Sequence, residues 1–249
     1  MSSNSHAFDQ WIRTEFRQLN TELEELYFAQ TDRANVEDIG DNLKLKLHDA
    51  GRAFIVALLH EGNTDEGFDR NFDLLGNVGL YMASCGRHGI TQVSREERSP
   101  LFEASALAMQ LGATLGLTPR FATSHLSTHN RAINGKYKSF TSLRDEYIFF
   151  DYNTRAVLAY KRAADALLRI LPLGVSHPVS FDLLRAALDG LEDVKEYNRA
   201  LFEQLDTDRF FYCVRPYFKP HYVGLHVYRG ANAGDFAGIN VIDLLLGLC

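Results

Sequence analysis

The chain has 249 residues, of which 46% are hydrophobic, and a formal net charge of −6. That is enough apolar material for one large core or two small ones. The acidic balance offers no electrostatic footprint for nucleic acid or an anionic membrane, and no apolar run approaches the roughly 18 residues of a membrane span. In chain order, "FDQWIRTEFRQLNTELEELYF" spaces Trp11, Phe16, Leu19, Leu23, Leu26 and Tyr27 mostly three or four apart, which predicts one continuous amphipathic helix. "LKLKLHDAGRAFIVALLHEG" repeats the pattern. "FDRNFDLLGNVGLYMASCGRHG" is a third helix, whose Gly76 and Gly79 suit close packing. "SPLFEASALAMQLGATLGL" opens with Ser99 as N-cap and Pro100 in the first turn. "SLRDEYIFFDYNTRAVLAYKRAADALLRIL" is the longest helix and halts at Pro172; the next one, "SFDLLRAALDGLEDVKEYNRALFEQL", takes Ser180 as its cap. From Tyr217 to Tyr228 the chain reads as an irregular connector with a short extended piece, and "GANAGDFAGINVIDLLLGL" as a glycine loop feeding a helix. Strand signals are scarce, so the fold class is mainly α, in one domain over 1–249 with N-terminal helices over 1–70.

Cys85, Cys213 and Cys249 form no CxxC pair and no even framework, which points to a reduced, cytoplasmic setting. The N-terminus lacks the apolar stretch of a signal peptide. The apolar ending "INVIDLLLGLC" implies that the protein continues past Cys249 or that this end is buried.

Several constellations could carry chemistry. His125 and His129 in "HLSTH" have the i, i+4 spacing of a metal face, or serve as surface and capping residues. His88 in "CGRHG" either closes a helix as a cation against its dipole or transfers protons. Gly230, Gly234 and Gly238 recur every four residues in a loop that fits no nucleotide fingerprint but allows close approach to a flat ligand. The acid pairs Glu24–Glu25 and Glu96–Glu97 read as solvated faces. No nucleophile elbow is present. The sharpest feature is "RFFYCVRPYFKPHYVG". There Arg215 follows Phe211 by four residues in an aromatic, apolar run, as a buried arginine in need of an anion. A substrate carboxylate, with an aromatic body on the phenylalanines, meets that need; so does an internal salt bridge to Asp208 or Asp243.

In order, "RFFYCVRPYF", "VGLHVYRGANAGDFAG" and "VIDLLLGL" resemble the indoleamine 2,3-dioxygenase branch of the histidine-ligated heme aromatic oxygenases. Upstream, "LGLTPRFATSHLSTHN" is similar to that family's entry to the distal helix, and "YIFFDYN" to its second phenylalanine pair; the resemblance covers roughly Phe72 to Cys249. "RPYFKPHYVG" and "CGRHG" look closer to the bacterial biosynthetic members, namely the heme-dependent L-tyrosine 3-hydroxylases of antibiotic pathways and the pyrrolnitrin-pathway enzyme that rearranges a chlorotryptophan.

The resemblance implies a multi-helix heme fold with heme b as cofactor. Arg215 would bind the amino-acid carboxylate, and Phe210 and Phe211 would flank the substrate. Asn153 falls at the family's distal polar position; Thr123, Leu126 and Ser127 would line the pocket, and Asn232, Ala233 and Gly234 would lie against the heme edge. His88 would act as the base, with His125 as the alternate. The family's proximal histidine lies in a later helix, and no histidine here matches its motif, so the chain resembles the distal portion without the C-terminal helices and no metal ligand is assigned. The implied reaction is hydroxylation of L-tyrosine at C3 to L-DOPA with hydrogen peroxide in secondary metabolism. The alternatives are a tryptophan-type substrate, dioxygenated or rearranged, and a non-catalytic helical binding domain. Self-association into a homo-oligomer is left open.

Overall fold

The computed structural model describes residues 2–62, 66–90, 101–231 and 236–248. Its helices are α1 (Ser3–Ile12), α2 (Glu15–Phe28), α3 (Asp41–Glu61), α4 (Phe68–Arg87), α5 (Phe102–Leu115), α6 (Arg144–Ile170), α7 (Pro178–Gln204), the single turn α8 (Thr207–Arg209) and α9 (Ala237–Leu246). The described strands, β1 (His221–Val223) and β2 (His226–Tyr228), form an antiparallel hairpin in what the sequence suggests is an irregular connector. Its two-residue turn starts at Gly224, whose φ of 59° suits the first central position of a primed hairpin turn. The architecture is mainly α, and among the described residues no helix is long and apolar enough to cross a membrane.

The chain divides into two compact units, residues 1–146 with 207–231 and residues 147–206 with 232–249. In the first, α4 is the central helix: every residue from Leu74 to Cys85 is buried, as expected of a helix covered on all sides. It packs against α1, α3 and α5. Its two interior glycines do what the sequence suggests. A Cβ on Gly76 would come within 2.9 Å of the His125 ring, and one on Gly79 within 2.6 Å of the Phe121 Cβ and 3.0 Å of its Cα. The predicted first helix is broken in two at Arg13–Thr14, where Thr14 leaves helical geometry with φ −129° and ψ −93°. The break folds Trp11 against Phe16, ring centroids 5.3 Å apart, so that both are buried. Arg13 is committed elsewhere: it donates to Asp9 at 2.7 Å and to the carbonyls of Arg131 and Lys136 at 3.0 and 2.7 Å. Burial alone would push the Asp9 carboxyl upward, but Lys138 at 3.0 Å and Arg13 hold it below the usual carboxylate range.

A second correction concerns the acid pair on α2. Only Glu25 is on the surface, where it meets Arg209 at 2.8 Å. Glu24 is fully buried and takes a fork of two hydrogen bonds from Arg87, at 2.8 and 2.9 Å. The helical period carries Glu24 inward with Asn20, Leu23 and Tyr27. Glu96, Glu97 and the expected Ser99–Pro100 cap lie outside the described residues.

The second unit is built on α6, from Tyr147 onward, with α7 and α9. Ala163, Ala164, Leu167 and Ile170 of α6 share one core cluster with Leu183 and Ala187 of α7 and Ile242 of α9. Helix α7 starts two residues earlier than its expected serine cap. Pro178 fits the first helical turn, where no N–H donor is needed, and His177 caps it by accepting from the Val179 N–H at 3.2 Å. The Ser180 hydroxyl instead donates to the Gly174 carbonyl at 2.7 Å.

Removing one partner of a buried ion pair strands the other charge. Arg87→Met should therefore lower the unfolding free energy by about 3–5 kcal/mol, read as a reduced urea midpoint. Gly79→Ala should cost about 1–3 kcal/mol by overpacking against Phe121. A neutral result for either would mean that the contact in question does not hold α4 in place.

Candidate functional site

The stretch from Thr207 to Phe218 is built from three kinds of helical turn. After α8, residues Phe210–Val214 form a π turn, in which the Arg215 N–H donates to the Phe210 carbonyl five residues back. A 3-10 turn, Arg215–Phe218, follows, and Pro216 forbids continuation of the longer hydrogen-bond register. The π turn accommodates an extra residue and re-aims the side chains beyond it, a device frequent at functional sites. Cys213, Val214 and Tyr217 are buried, whereas Phe211 and Arg215 are exposed. The Arg215 guanidinium sits over the Phe211 ring, 5.2 Å from its centroid.

Arg215 is thus an exposed residue rather than the buried arginine its apolar sequence context suggests. The run is apolar because the residues around Arg215 go inward while Arg215 does not. Nor does it enter a salt bridge: among the described residues it pairs with no carboxylate, and Asp208 is bound to Arg33 at 3.1 Å. A free guanidinium backed by a phenylalanine ring is suited to a ligand with a carboxylate and an aromatic body.

Behind this exposed pair lies a buried polar network. Arg87, forked onto Glu24, also donates to the Tyr212 carbonyl at 3.0 Å and so ties the π turn to α4. His88 is almost wholly enclosed. Its Nε2 lies 2.7 Å from Asn20 Oδ1, which can only accept, so Nε2 carries the proton and Nδ1 accepts from the Tyr27 hydroxyl at 3.0 Å. Burial, with the charges of Arg87 and Lys44, pulls the His88 pKa well below the usual histidine range. The Tyr217 hydroxyl lies 3.4 Å from His88 Nε2, and its ring stacks on Phe140 at 4.4 Å. Burial lifts the Tyr217 phenol far above its ordinary pKa.

His125 is also buried, between Phe72 and Phe121, with centroid distances of 4.1 and 5.8 Å. It belongs to a 3-10 turn, Thr123–His125, not to a helix, so the helical face that would pair it with His129 does not exist; the two rings meet instead on Phe72. His125 Nδ1 accepts from the Ala122 N–H at 3.0 Å, while Nε2 makes no hydrogen bond of good geometry among the described residues. Burial, reinforced by Lys138 and His129, lowers its pKa to about 3.

The remaining expected site residues fall as follows. Thr123, Leu126 and Ser127 are buried around the same turn, and the Ser127 hydroxyl donates to the Thr123 carbonyl at 2.8 Å. Phe210 is half-buried at the head of the π turn. Asn153 is half-buried on α6, within the second unit. Asn232, Ala233 and Gly234 lie outside the described residues. The structure therefore brings Phe211 and Arg215 together at the surface of the first unit, with His88 in the network behind them. Arg87, Glu24 and Tyr217 are the supporting residues that sequence patterns did not single out; the signal available was an arginine beside His88 at the end of a buried glycine-bearing helix.

These features define a mainly α protein with an exposed guanidinium and aromatic ring set on one turn. The family model described as monodechloroaminopyrrolnitrin synthase PrnB matches residues 2–249, and the chain belongs to that family. The family lies in the heme-dependent superfamily related to the indoleamine and tryptophan dioxygenases, and its members are oxidoreductases. No curated protein matches the chain significantly.

Family membership raises the question of where heme would bind. An axial ligand requires a histidine nitrogen facing a large apolar cleft. Among the described residues His125 keeps Nε2 unpaired, but its ring is sandwiched between two phenylalanines. His221 keeps both nitrogens unpaired, but the cavity it lines holds about 180 Å³. Small-molecule and cofactor sites run to roughly 300–1,000 Å³. The described residues do not fit axial heme ligation.

The buried state of His125 has a pH signature. In the unfolded chain it titrates near 6.5; in the fold it stays neutral down to about 3. Between those values the unfolded state binds the additional proton, so its unfolding free energy falls as pH drops through the window. His125→Gln should show a shallower loss of stability than the parent from roughly pH 6 to pH 4 in parallel urea titrations. Parallel curves would rule out a neutral, buried His125.

Proposed function

We propose that the protein is a heme b-dependent oxidoreductase that rearranges the ring of a tryptophan-type amino acid, of the chlorotryptophan kind, in a secondary-metabolite pathway. The observation that carries this reading is the family match over residues 2–249, and the unpaired Arg215 stacked on Phe211 supports it. Arg215 takes the substrate carboxylate through its guanidinium fork, and Phe211 supplies a ring face for the aromatic body. The Glu24–Arg87–Tyr212 chain of contacts holds the π turn, and so fixes the direction in which Arg215 points. His88 is assigned to this support, since both its nitrogens are engaged; His125, wedged between rings, is assigned to packing.

Hydroxylation of L-tyrosine at C3 with peroxide rests on subgroup resemblance alone, and the family match favours the tryptophan-type alternative. Incubating the full chain with heme, an oxidant and either chlorotryptophan or L-tyrosine separates the two. Loss of the indole chromophore supports the rearrangement, whereas a catechol formed from tyrosine while the indole persists would overturn it. A missing Soret band after heme addition would count against any heme enzyme.

The binding role of Arg215 is tested separately, with L-tryptophan and with tryptamine, which lacks the carboxylate. Arg215→Ala should weaken tryptophan binding about tenfold, equivalent to roughly 1.4 kcal/mol, and leave tryptamine unchanged. Equal effects on both ligands would mean that Arg215 does not read the carboxylate.

A further inference from the structure

The second unit leaves one face of α7 uncovered. Leu183, Ala187 and Val194 turn inward, as the helical period requires. Beside them runs a separate apolar stripe of Phe181, Leu184, Leu188 and Leu191. Phe181, Leu184 and Leu188 are 68%, 41% and 56% exposed, and Leu191 is half-buried against the core. Their spacing of three, four and three is the pattern by which one helix seats against another, and Lys195 ends it at the next position of the series. A single exposed leucine needs no explanation, but a contiguous stripe at this spacing marks an interaction surface. Arg185 and Glu192, both exposed, each follow a leucine of the stripe by one residue and so line the same flank. Among the described residues the ion pairs of α7 are Arg162–Asp193 and Arg199–Glu196, which leave Arg185 and Glu192 without a charged partner.

We propose that this stripe seats the same stripe of a second copy of the chain, with the two α7 helices antiparallel across a two-fold axis level with Ala186. The surface is its own complement. In that register Phe181 of each copy meets Leu191 of the other, and Leu184 meets Leu188, as an isologous contact demands. Charge fixes the orientation. Side chains on a helix lean toward its N-terminus, so in the antiparallel pair each Arg185 leans toward the second copy's Glu192 and away from the other arginine. Two ion pairs form, on residues that the single chain leaves unpaired. A lipid surface is the poorer match. The exposed residues beside the stripe include Asp182, Asp189, Glu192 and Glu196 against Arg185 and Lys195, whereas a helix lying on a membrane carries lysine and arginine on its polar face. From Phe181 to Leu191 the stripe is about 15 Å long, short for a permanent dimer, so the association is reversible.

The inference is independent of the oxidoreductase reading, because α7 belongs to the second unit and Arg215 and Phe211 to the first. Sedimentation equilibrium of the full chain, from low to high micromolar concentration, should show a monomer–dimer equilibrium. Arg185→Glu and Glu192→Arg, each of which sets like charges opposite one another twice, should weaken the dimer at least about fivefold. The double exchange Arg185→Glu with Glu192→Arg restores opposite charges and should return the affinity to within about twofold of the parent. Leu188→Asp should leave a monomer, and circular dichroism checks that the helices persist. The charge exchanges lie at the surface and keep the test decisive if the aspartate variant does not fold. A double exchange no better than either single one would overturn the antiparallel pairing, and a dimer indifferent to all four variants would place the contact on another surface. A chain that stays monomeric throughout would overturn the proposal outright, whether the stripe then binds phosphatidylcholine vesicles, takes a different protein or stays bare.

Discussion

Glu24 and Arg87 meet inside the first unit as a forked ion pair, and the surrounding polar interior is arranged about them. Burial drives the Glu24 carboxyl upward, against the pull of Arg87, whose guanidinium stays charged at any working pH. Removing two charges from water is costly, and such a pair is weak evidence of stability in itself. Its consequence is geometric. The same Nη2 that donates to one Glu24 oxygen also donates to the Tyr212 carbonyl, so a helix, a central helix and a π turn are locked to one another through one side chain. Asn20, Ser84, His88, Tyr27 and Tyr217 extend the network, with Asn20 Oδ1 accepting from both Ser84 and His88. A neutral His88 is what allows that arrangement, because Nδ1 must be free to accept from Tyr27.

This arrangement separates two kinds of residue that the sequence places side by side. In "CGRHG", His88 has the chemistry usually associated with catalysis, yet it is fully enclosed; Arg87, which resembles an ordinary helix-terminal cation, sets the position of the candidate binding edge. In "RFFYCVRPYF", the guanidinium exposed at the end of the run works with Phe211, while Tyr217 turns back into the core. Candidate recognition residues and supporting residues are thus interleaved along a dozen positions and set apart by which way each side chain faces.

Much of the helical architecture was legible from apolar spacing, because α3, α4, α6, α7 and α9 are long or strongly patterned. Gly76 and Gly79 were legible as packing positions for the same reason. Three things were not. The break at Thr14 leaves the apolar period almost undisturbed, since Trp11 and Phe16 remain on the core side after the chain turns. The burial of Glu24 was hidden because an acid beside another acid looks solvated, and its partner lies 63 residues away. The π turn was hidden because a run of aromatic residues has no period to disturb. The outward turn of Arg215 depends on it, so the residue's type was readable from sequence and its exposure was not.

That turn also constrains what the segment can tolerate over evolutionary change. Phe211 and Arg215 face solvent together only while five residues complete the π register between Phe210 and Val214. Adding or deleting one residue would swing everything after it by roughly 100° about the helix axis, bringing the guanidinium toward the core and the Tyr217 ring toward water. The segment is therefore more sensitive to its length than to its lettering. An exchange of one aromatic residue for another leaves the register intact, whereas an insertion or deletion of a single codon would dismantle the candidate binding edge even with every original side chain retained.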